Sequence, residues 1–598
     1  MMFLKHTSLH RILRLLSAAG LISLANPSWG LGVELTGVTG LVATNVTNYL
    51  KPIKIPDDST PERYRSQVQR FTVDALKAYG YYTPNIEIFQ LDRERVVLTI
   101  EPGEQVIVRQ LQVAVEGEAG QDEAFQKLLK DSPLMQAEGK PLSHADYELL
   151  KTGLSTLAAQ RGYFDAEFVP SRIEVRPWEQ RADIFLIMHS GKRYTFGEVR
   201  YKGSQIEQAR LEQMRPFNLN DPYLADDLSL YNQRLSDSGW FRSISVKPYL
   251  RTSEDVVELA PSEQAAAPVR SEGRGEAPVN ITLTPADRHR FETSIGYATD
   301  VGPRTQLTWK QPWVNAEGDS WTNTLYLASK TQRISGTYKK PLSRPLHDRY
   351  EFDYGLERVS ENDTSSLQAY ITPARVWNFA NGWEQRIYVR FAQEHFTQAD
   401  DKDTVFMIMP GIAWARTAVD NTRFPMQGNR QTLKIEGASD QLGSDVSFLR
   451  ADATTQWIIH LGNDNRFFGR LRGGTTSTQD FHRLPPSLRF FAGGDNSLRG
   501  YGYNDIAPRN AAGELVGGEN LVIGTLEYQR RIGGNWWAAT FVDAGNVFDH
   551  WQSGDIKRSA GIGIRWQTVV GPIRLDIAHP FDNKEDAWRL HFAIGPEF

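Results

Sequence analysis

From about Arg288 to the end of the chain, apolar and polar residues alternate one by one. Ile387, Val389 and Phe391 alternate with Arg386, Tyr388 and Arg390, and Ile562, Ile564 and Trp566 with Gly561, Gly563 and Arg565. Ile573, Leu575 and Ile577 alternate with Arg574, Asp576 and Ala578. A period of two predicts strands with one apolar face. Roughly 310 residues at about 19 per strand and loop predict some 16 antiparallel strands. Such a face packs against a core in a soluble sandwich and against lipid in a membrane barrel, and the period alone does not separate the two.

Ahead of this region the period is that of helices. Tyr64, Val68, Phe71 and Ala75 recur at helix spacing, as do Tyr147, Leu150, Leu154 and Leu157, and then Leu224, Leu228, Tyr231 and Leu235. Each run leads to a glycine and two aromatics: Gly80-Tyr81-Tyr82, Gly162-Tyr163-Phe164 and Gly239-Trp240-Phe241. Glycine suits a helix C-cap because a left-handed backbone costs least without a Cβ. A second mark, a strand ending in glycine, is read at Val38-Thr39-Gly40, Val115-Glu116-Gly117 and Tyr201-Lys202-Gly203. Strands are predicted after each helix, at Asn85 to Phe89, Val96 to Ile100, Ser171 to Val175, Ile184 to Met188 and Ser243 to Tyr249. The two marks in step give three α+β repeats of the form strand, helix, helix, strand, strand. Their bounds are 31–104, 105–192 and 193–286, with the barrel at 287–598. Residues 258–278 are low in complexity and are read as a disordered insertion in the third repeat, after which Val279, Ile281 and Leu283 resume the strand.

Composition shifts the balance toward a membrane. The chain carries 15 Trp, 22 Tyr, 28 Phe and 48 Gly, yet its mean hydropathy is −0.45. The N-terminus reads as a secretory signal, residues 1–30: Lys5, Arg11 and Arg14 precede an apolar core from Leu15 to Ala25, Pro27 breaks it, and cleavage follows Gly30. Export, aromatic content and the aromatic terminus Phe598 favour the barrel. A net charge of −5 implies no pull toward nucleic acid. With no cysteine, disulfides, thiolate metal sites and Cys nucleophiles are excluded.

The most specific stretch is Phe491-Ala492-Gly493-Gly494-Asp495-Asn496-Ser497-Leu498-Arg499-Gly500-Tyr501, followed by Phe541-Val542-Asp543-Ala544-Gly545. Here the chain resembles the outer-membrane superfamily that includes BamA and the two-partner secretion transporters. Its members share an Arg-Gly-aromatic loop motif and a later Phe-x-Asp-x-Gly strand motif, and the three repeats are similar to POTRA domains. Three such domains with a 16-stranded barrel look most like the TamA branch, the outer-membrane subunits of the translocation and assembly module. The resemblance implies that the loop Pro485 to Asn520 folds back into the lumen, so that Arg499, flanked by Leu498, Gly500 and Tyr501, meets Asp543. Phe541, Asp543 and Gly545 share one strand face, and Val542 faces lipid. It further implies an outer-membrane barrel with periplasmic N-terminal domains and an inner-membrane-anchored TamB-like partner.

A barrel also has a seam. Phe291, Thr293, Ile295 and Tyr297 alternate on the first strand. The last runs through Trp588, Leu590, Phe592, Ile594, Gly595, Pro596 and Phe598. Glycine and proline weaken a ladder, which predicts a labile seam whose opened edge pairs with a client strand. The leading reading is thus an insertase for outer-membrane proteins such as autotransporters. The alternatives are a dedicated two-partner secretion pore and a passive porin-like channel. No nucleophile elbow, Walker loop or His-Glu-x-x-His is found, so neither an enzyme nor a cofactor nor a metal is expected. Asp400-Asp401-Lys402-Asp403 reads as a solvated loop.

Overall fold

The computed structural model describes residues 31–56, 59–250, 275–300, 302–422, 424–550, 555–568, 571–582 and 588–594. The signal segment, residues 258–274 of the predicted insertion, and Gly595, Pro596 and Phe598 of the predicted seam lie outside them.

Three small sheets precede the barrel. The first holds β1 (Gly32–Thr36), β2 (Asn85–Leu91) and β3 (Arg95–Glu101); the second β4 (Ile107–Glu116), β5 (Glu167–Arg176) and β6 (Arg181–His189); the third β7 (Thr195–Lys202), β8 (Phe241–Pro248) and β9 (Glu276–Pro285). In each, the last strand lies between the other two. β3 and β6 run parallel to β1 and β4 and antiparallel to β2 and β5. A parallel neighbour needs a crossover, which the helices supply: α1 (Gly40–Leu50) and α2 (Arg65–Lys77), α3 (Glu123–Asp131) and α4 (His144–Arg161), α5 (Gln208–Glu212) and α6 (Ala225–Asp237). The predicted periodic residues make the cores, among them Val68 and Ala75, Tyr147, Leu150 and Leu154, and Leu228, Tyr231 and Leu235. Gly80, Gly162 and Gly239 follow their helices with φ of 84°, 85° and 69°.

Two sequence readings need correction. The strand-ending glycine of the first repeat is Gly37, not Gly40. β1 stops at Thr36, Gly37 takes φ 91° and Gly40 begins α1. Gly37 is the counterpart of Gly117 and Gly203, each with a left-handed backbone after its strand. The insertion ends earlier than 278: Glu276 already begins β9, and the Tyr249 N–H donates to Pro278 O at 2.7 Å.

The chain forms two compact units, one with the first two domains and one with most of the third and the barrel. Within the second unit, the third domain is fastened to two barrel turns. The Trp240 indole Nε1 donates to Gly318 O at 3.0 Å, and the Arg210 Nη1 donates to Leu342 O at 2.9 Å. Gly318 must be glycine, because a Cβ there would lie inside the Trp240 ring.

The sixteen strands β10 (Arg290–Ala298) to β25 (Arg589–Ile594) close into an antiparallel barrel. Its polarity is the reverse of a soluble protein's. Leu526 and Ile562 on the outside are 66% and 61% exposed, whereas Arg565 and Asp543 on the inside are each 1% exposed. A sandwich would bury the first pair and hydrate the second; a cylinder in lipid does the opposite. Ile562 sits mid-strand, so Ile562→Arg is expected to cost the barrel about 2–4 kcal/mol, read from urea unfolding in lipid vesicles. A variant as stable as the parent would place Ile562 against water.

Candidate functional site

The loop between β20 (Asn465–Thr478) and β21 (Asn520–Gly533) does not extend into solvent. It carries its own apolar core, in which Leu498, Phe490, Ala492 and Ile506 pack on Leu521, Ile523 and Val547 of the barrel wall. Arg489, which the sequence reading passed over, fixes its base. Its guanidinium donates to Asp401 Oδ2 and Val516 O at 2.9 Å, to Leu484 O at 2.7 Å and to His482 O at 3.1 Å. The acidic run Asp400 to Asp403 is therefore a fastening point and not the solvated loop its composition suggested. Arg483 Nε donates to Asp403 Oδ2 at 2.9 Å, and Asn510 Nδ2 to Asp400 Oδ2 at 2.8 Å.

At the loop's tip the structure brings Arg499 and Asp543 together. Arg499 Nε donates to Asp543 Oδ2 at 2.9 Å and Nη2 to Oδ1 at 3.0 Å, a two-pronged contact that fixes the guanidinium plane. The backbone N–H of Arg499 reaches the same carboxylate at 3.2 Å. The guanidinium lies over the Phe541 ring, 3.3 Å from its centroid. Phe541, Asp543 and Gly545 face inward and Val542 outward.

Sequence spacing did not reveal the rest of the cluster. Arg499 Nη1 also donates to Glu527 Oε2 at 2.6 Å and Asp576 Oδ2 at 3.4 Å. Arg565, on β23 (Lys557–Thr568), bridges the same two acids, through Nη2 to Glu527 Oε1 at 2.8 Å and through Nη1 to Asp576. Two guanidinium groups thus stand among three carboxylates. A third cation, Arg470, reaches Thr525 at 3.1 Å, the residue in register with Asp543. Burying charges is costly, and removing one member of such a group leaves the others uncompensated. Space for the cluster comes from β23: a Cβ at Gly561 would meet the Phe541 ring, and one at Gly563 the Asp576 carboxylate. Single charges on the inward face of an alternating strand were the available signal for Glu527, Arg565 and Asp576.

Gly500 and Tyr501 seat the loop on the wall. A Cβ on Gly500 would stand 2.5 Å from Ser559 Cβ and 3.0 Å from the Pro580 nitrogen. The Gly500 N–H donates to Ser559 Oγ at 3.2 Å, and the Tyr501 hydroxyl donates to Arg558 O at 3.3 Å. Burial pushes the Tyr501 phenol up to about 12, helped by the Asp582 carboxylate, so it stays a neutral donor.

The predicted seam residues fall on two edges. Phe291, Thr293, Ile295 and Tyr297 all point outward on β10, as do Trp588 and Leu590 near β25, while Phe592 and Ile594 are half-buried. Among the described residues the β10–β25 register holds the single pair Ala298 and Ala593. The Thr299 N–H adds a bond to Phe592 O at 3.3 Å, and Arg304 Nη2 one to Ile594 O at 3.2 Å. By contrast β10 pairs with β11 (Gly302–Gln311) along its whole length.

One group of metal-ligand type occurs among the described residues. Asp300, Asp495 and His591 bring one atom each within 4.8 Å. His591 Nδ1 stands 2.5 Å from Asp495 Oδ1, whereas two donors on one zinc-sized cation stand roughly 3.3 Å apart. The cluster is hydrogen-bonded as it stands. Burial raises the Asp300 carboxyl above its usual range, against the hydrogen bond from the Asp495 N–H.

Arg499→Lys keeps the charge but not the planar fork. It is expected to weaken the loop's hold by about 2 kcal/mol, read as faster cleavage of the loop by protease added outside intact cells. Cleavage at the parent's rate would show that the fork is dispensable.

Residues 286–598 match the model described as the Omp85 superfamily domain, and residues 32–102 that of POTRA domain TamA domain 1. Among curated proteins, the outer membrane protein assembly factor BamA of Nitratidesulfovibrio vulgaris is 27% identical over 74% of this chain and 56% of its own. This chain therefore spans little more than half that relative's length. The BamA of Neisseria meningitidis serogroup B is 18% identical over 86% of this chain and 81% of its own. Among solved structures, the BamA of Haemophilus ducreyi lacking POTRA domains 1–3 superposes with a TM-score of 0.68 at 14% identity, covering 82% of this chain and 99% of that one, a likeness of fold. With its family model covering more than half of the sequence, the chain belongs to the Omp85 superfamily, its barrel in the outer membrane and its POTRA-type domains in the periplasm.

Proposed function

We propose that the chain is an insertase for outer-membrane proteins, autotransporters among them, and that it acts by strand addition at the β10–β25 seam. The observation that carries this reading is the single backbone pair across that seam among the described residues, beside the full ladder of β10 with β11. An unpaired strand edge in lipid exposes backbone N–H and C=O groups that have no water to bond. A client strand that pairs with the edge satisfies both partners at once. The periplasm supplies no nucleotide, so the client's own folding free energy drives the step. No enzymatic chemistry is needed.

The loop fastened to the inner wall speaks against a passive porin-like channel, since it occupies space that a solute would cross. Three POTRA-like repeats favour the insertase over a dedicated two-partner secretion pore. The first domain's match to the TamA-type model supports an inner-membrane-anchored TamB-like protein as its partner.

The chain's lack of cysteine makes a direct test simple. Cysteines at Ala298 and Ala593, which face each other across the seam, would be the protein's only thiols. Their oxidation is expected to lower the insertion rate of an autotransporter barrel at least about tenfold, with recovery on reduction. Full activity with the seam locked would end the strand-addition reading. A pull-down with the first domain is expected to retain an inner-membrane protein; retention of none removes the partner from the proposal.

A further inference from the structure

His591 stands where the loop, the first hairpin and the last strand meet. Its side chain is buried on the inner face of β25, in register with Asp576 on β24 (Gly571–Pro580). Its Nε2 faces the Arg499 carbonyl oxygen, and its Nδ1 faces Asp495 Oδ1. Neither oxygen can donate. A neutral imidazole has one N–H, which leaves one ring nitrogen's lone pair against an acceptor's lone pair. A doubly protonated ring satisfies both contacts, each assisted by charge.

Asp495 is in turn tied to the other side of the seam. Its N–H donates to Asp300 Oδ2 at 2.6 Å, and the Thr299 hydroxyl donates to its Oδ1 at 3.3 Å. The Thr299 Oγ1 accepts from the Phe592 N–H at 3.1 Å. The charged and titratable groups around the imidazole and its partners include Asp495 and Arg499 of the loop, Asp300 of the β10–β11 turn with Lys330 beyond it, Asp576 and Arg574 of β24, Arg304 of β11 and Arg589 on its own strand. With the proton, a cation sits between the Asp495 carboxylate and the Arg499 carbonyl. Without it, no cation among the described residues forms an ion pair with Asp300 or Asp495.

We infer that His591, as an imidazolium, is the positioning residue that latches the seam: it holds the Arg499-bearing loop against β25 and, through Asp495, the β10–β11 turn, and it releases them when it loses its proton. The inference rests on the proposed reading that the seam opens. It adds what holds the seam shut and the direction of control: the latch is made at low pH and lost as pH rises through the histidine range.

The test reads the seam itself. In the full chain in lipid nanodiscs, Ile295→Cys on β10 and Leu590→Cys on β25 carry spin labels on the lipid-facing sides of the two edges, and pulsed electron resonance gives their distance distribution. Near pH 6 one short distance is expected. Near pH 9 a longer population is expected to grow at least about threefold. His591→Gln and Asp495→Asn, each checked for a folded barrel by its heat-dependent gel shift, are expected to show the longer population at both pH values. If His591→Gln does not fold, Asp495→Asn decides. A distribution in these variants matching the parent's at both pH values would overturn the latch. So would a parent that opens near pH 6 on adding EDTA, because a divalent cation would then be the fastener. If the latch fails here while the locked seam still blocks insertion, the proposed function stands without it.

Discussion

A cylinder in lipid has only one place for its charges, and the interaction on which this barrel's interior depends is the ion cluster that results. Arg499 and Arg565 share Glu527, Asp543 and Asp576 among themselves at hydrogen-bond distance. On an open surface such pairs would contribute little. Enclosed, each group depends on the others for solvation, so the arrangement is specific in a way that a greasy contact is not. The geometry follows from small decisions in sequence. Alternation puts Asp543, Arg565 and Asp576 on the inner face, Gly561 and Gly563 clear the space beside them, and Gly500 lets the loop backbone touch the wall.

The same cluster makes one mechanical object of loop, wall and seam. Arg499 is a loop residue whose side chain ends on three wall strands, β21, β22 (Trp536–Phe548) and β24, while its carbonyl faces His591 on the last strand. Asp495, four residues earlier, holds the turn after the first strand. Away from the seam the loop is anchored independently, by Arg489 on Asp401 and by Asn504 on Glu361 at 2.7 Å. Among the described residues, side chains of the loop thus join the single backbone pair in holding the first and last strands together. Side-chain closure breaks in parts, whereas a ladder breaks as a whole.

Much of this was legible in the chain. The change of period near Arg288 marks where soluble domains give way to the barrel, because lipid on one face and water on the other impose a period of two. The glycine after each repeat's helix was readable because only a left-handed C-cap requires it. Gly40 was misread for Gly37 because two glycines three residues apart both fit the local pattern, and only β1's pairing with β3 decides between them. Arg499 and Asp543 were paired on the family resemblance, and their two-pronged contact lies where it implied. Glu527, Arg565 and His591 were not chosen, since alternation says which face a charge occupies and not which strand curls round to meet it. The Asp400 to Asp403 run was misjudged for the same reason: its partners Arg483, Arg489 and Asn510 lie some 80 to 110 residues away in sequence.

The account stands on Arg499 and Asp543 acting as one unit inside the cylinder. A double-mutant cycle of Arg499→Ala and Asp543→Ala, read by urea unfolding of the barrel in lipid vesicles, measures that directly. Coupling of about 2 kcal/mol or more is expected, because either single change strands charges that the other partner neutralised. Effects that add to within about 0.5 kcal/mol would mean that the two residues do not hold each other, and the interior would need another explanation.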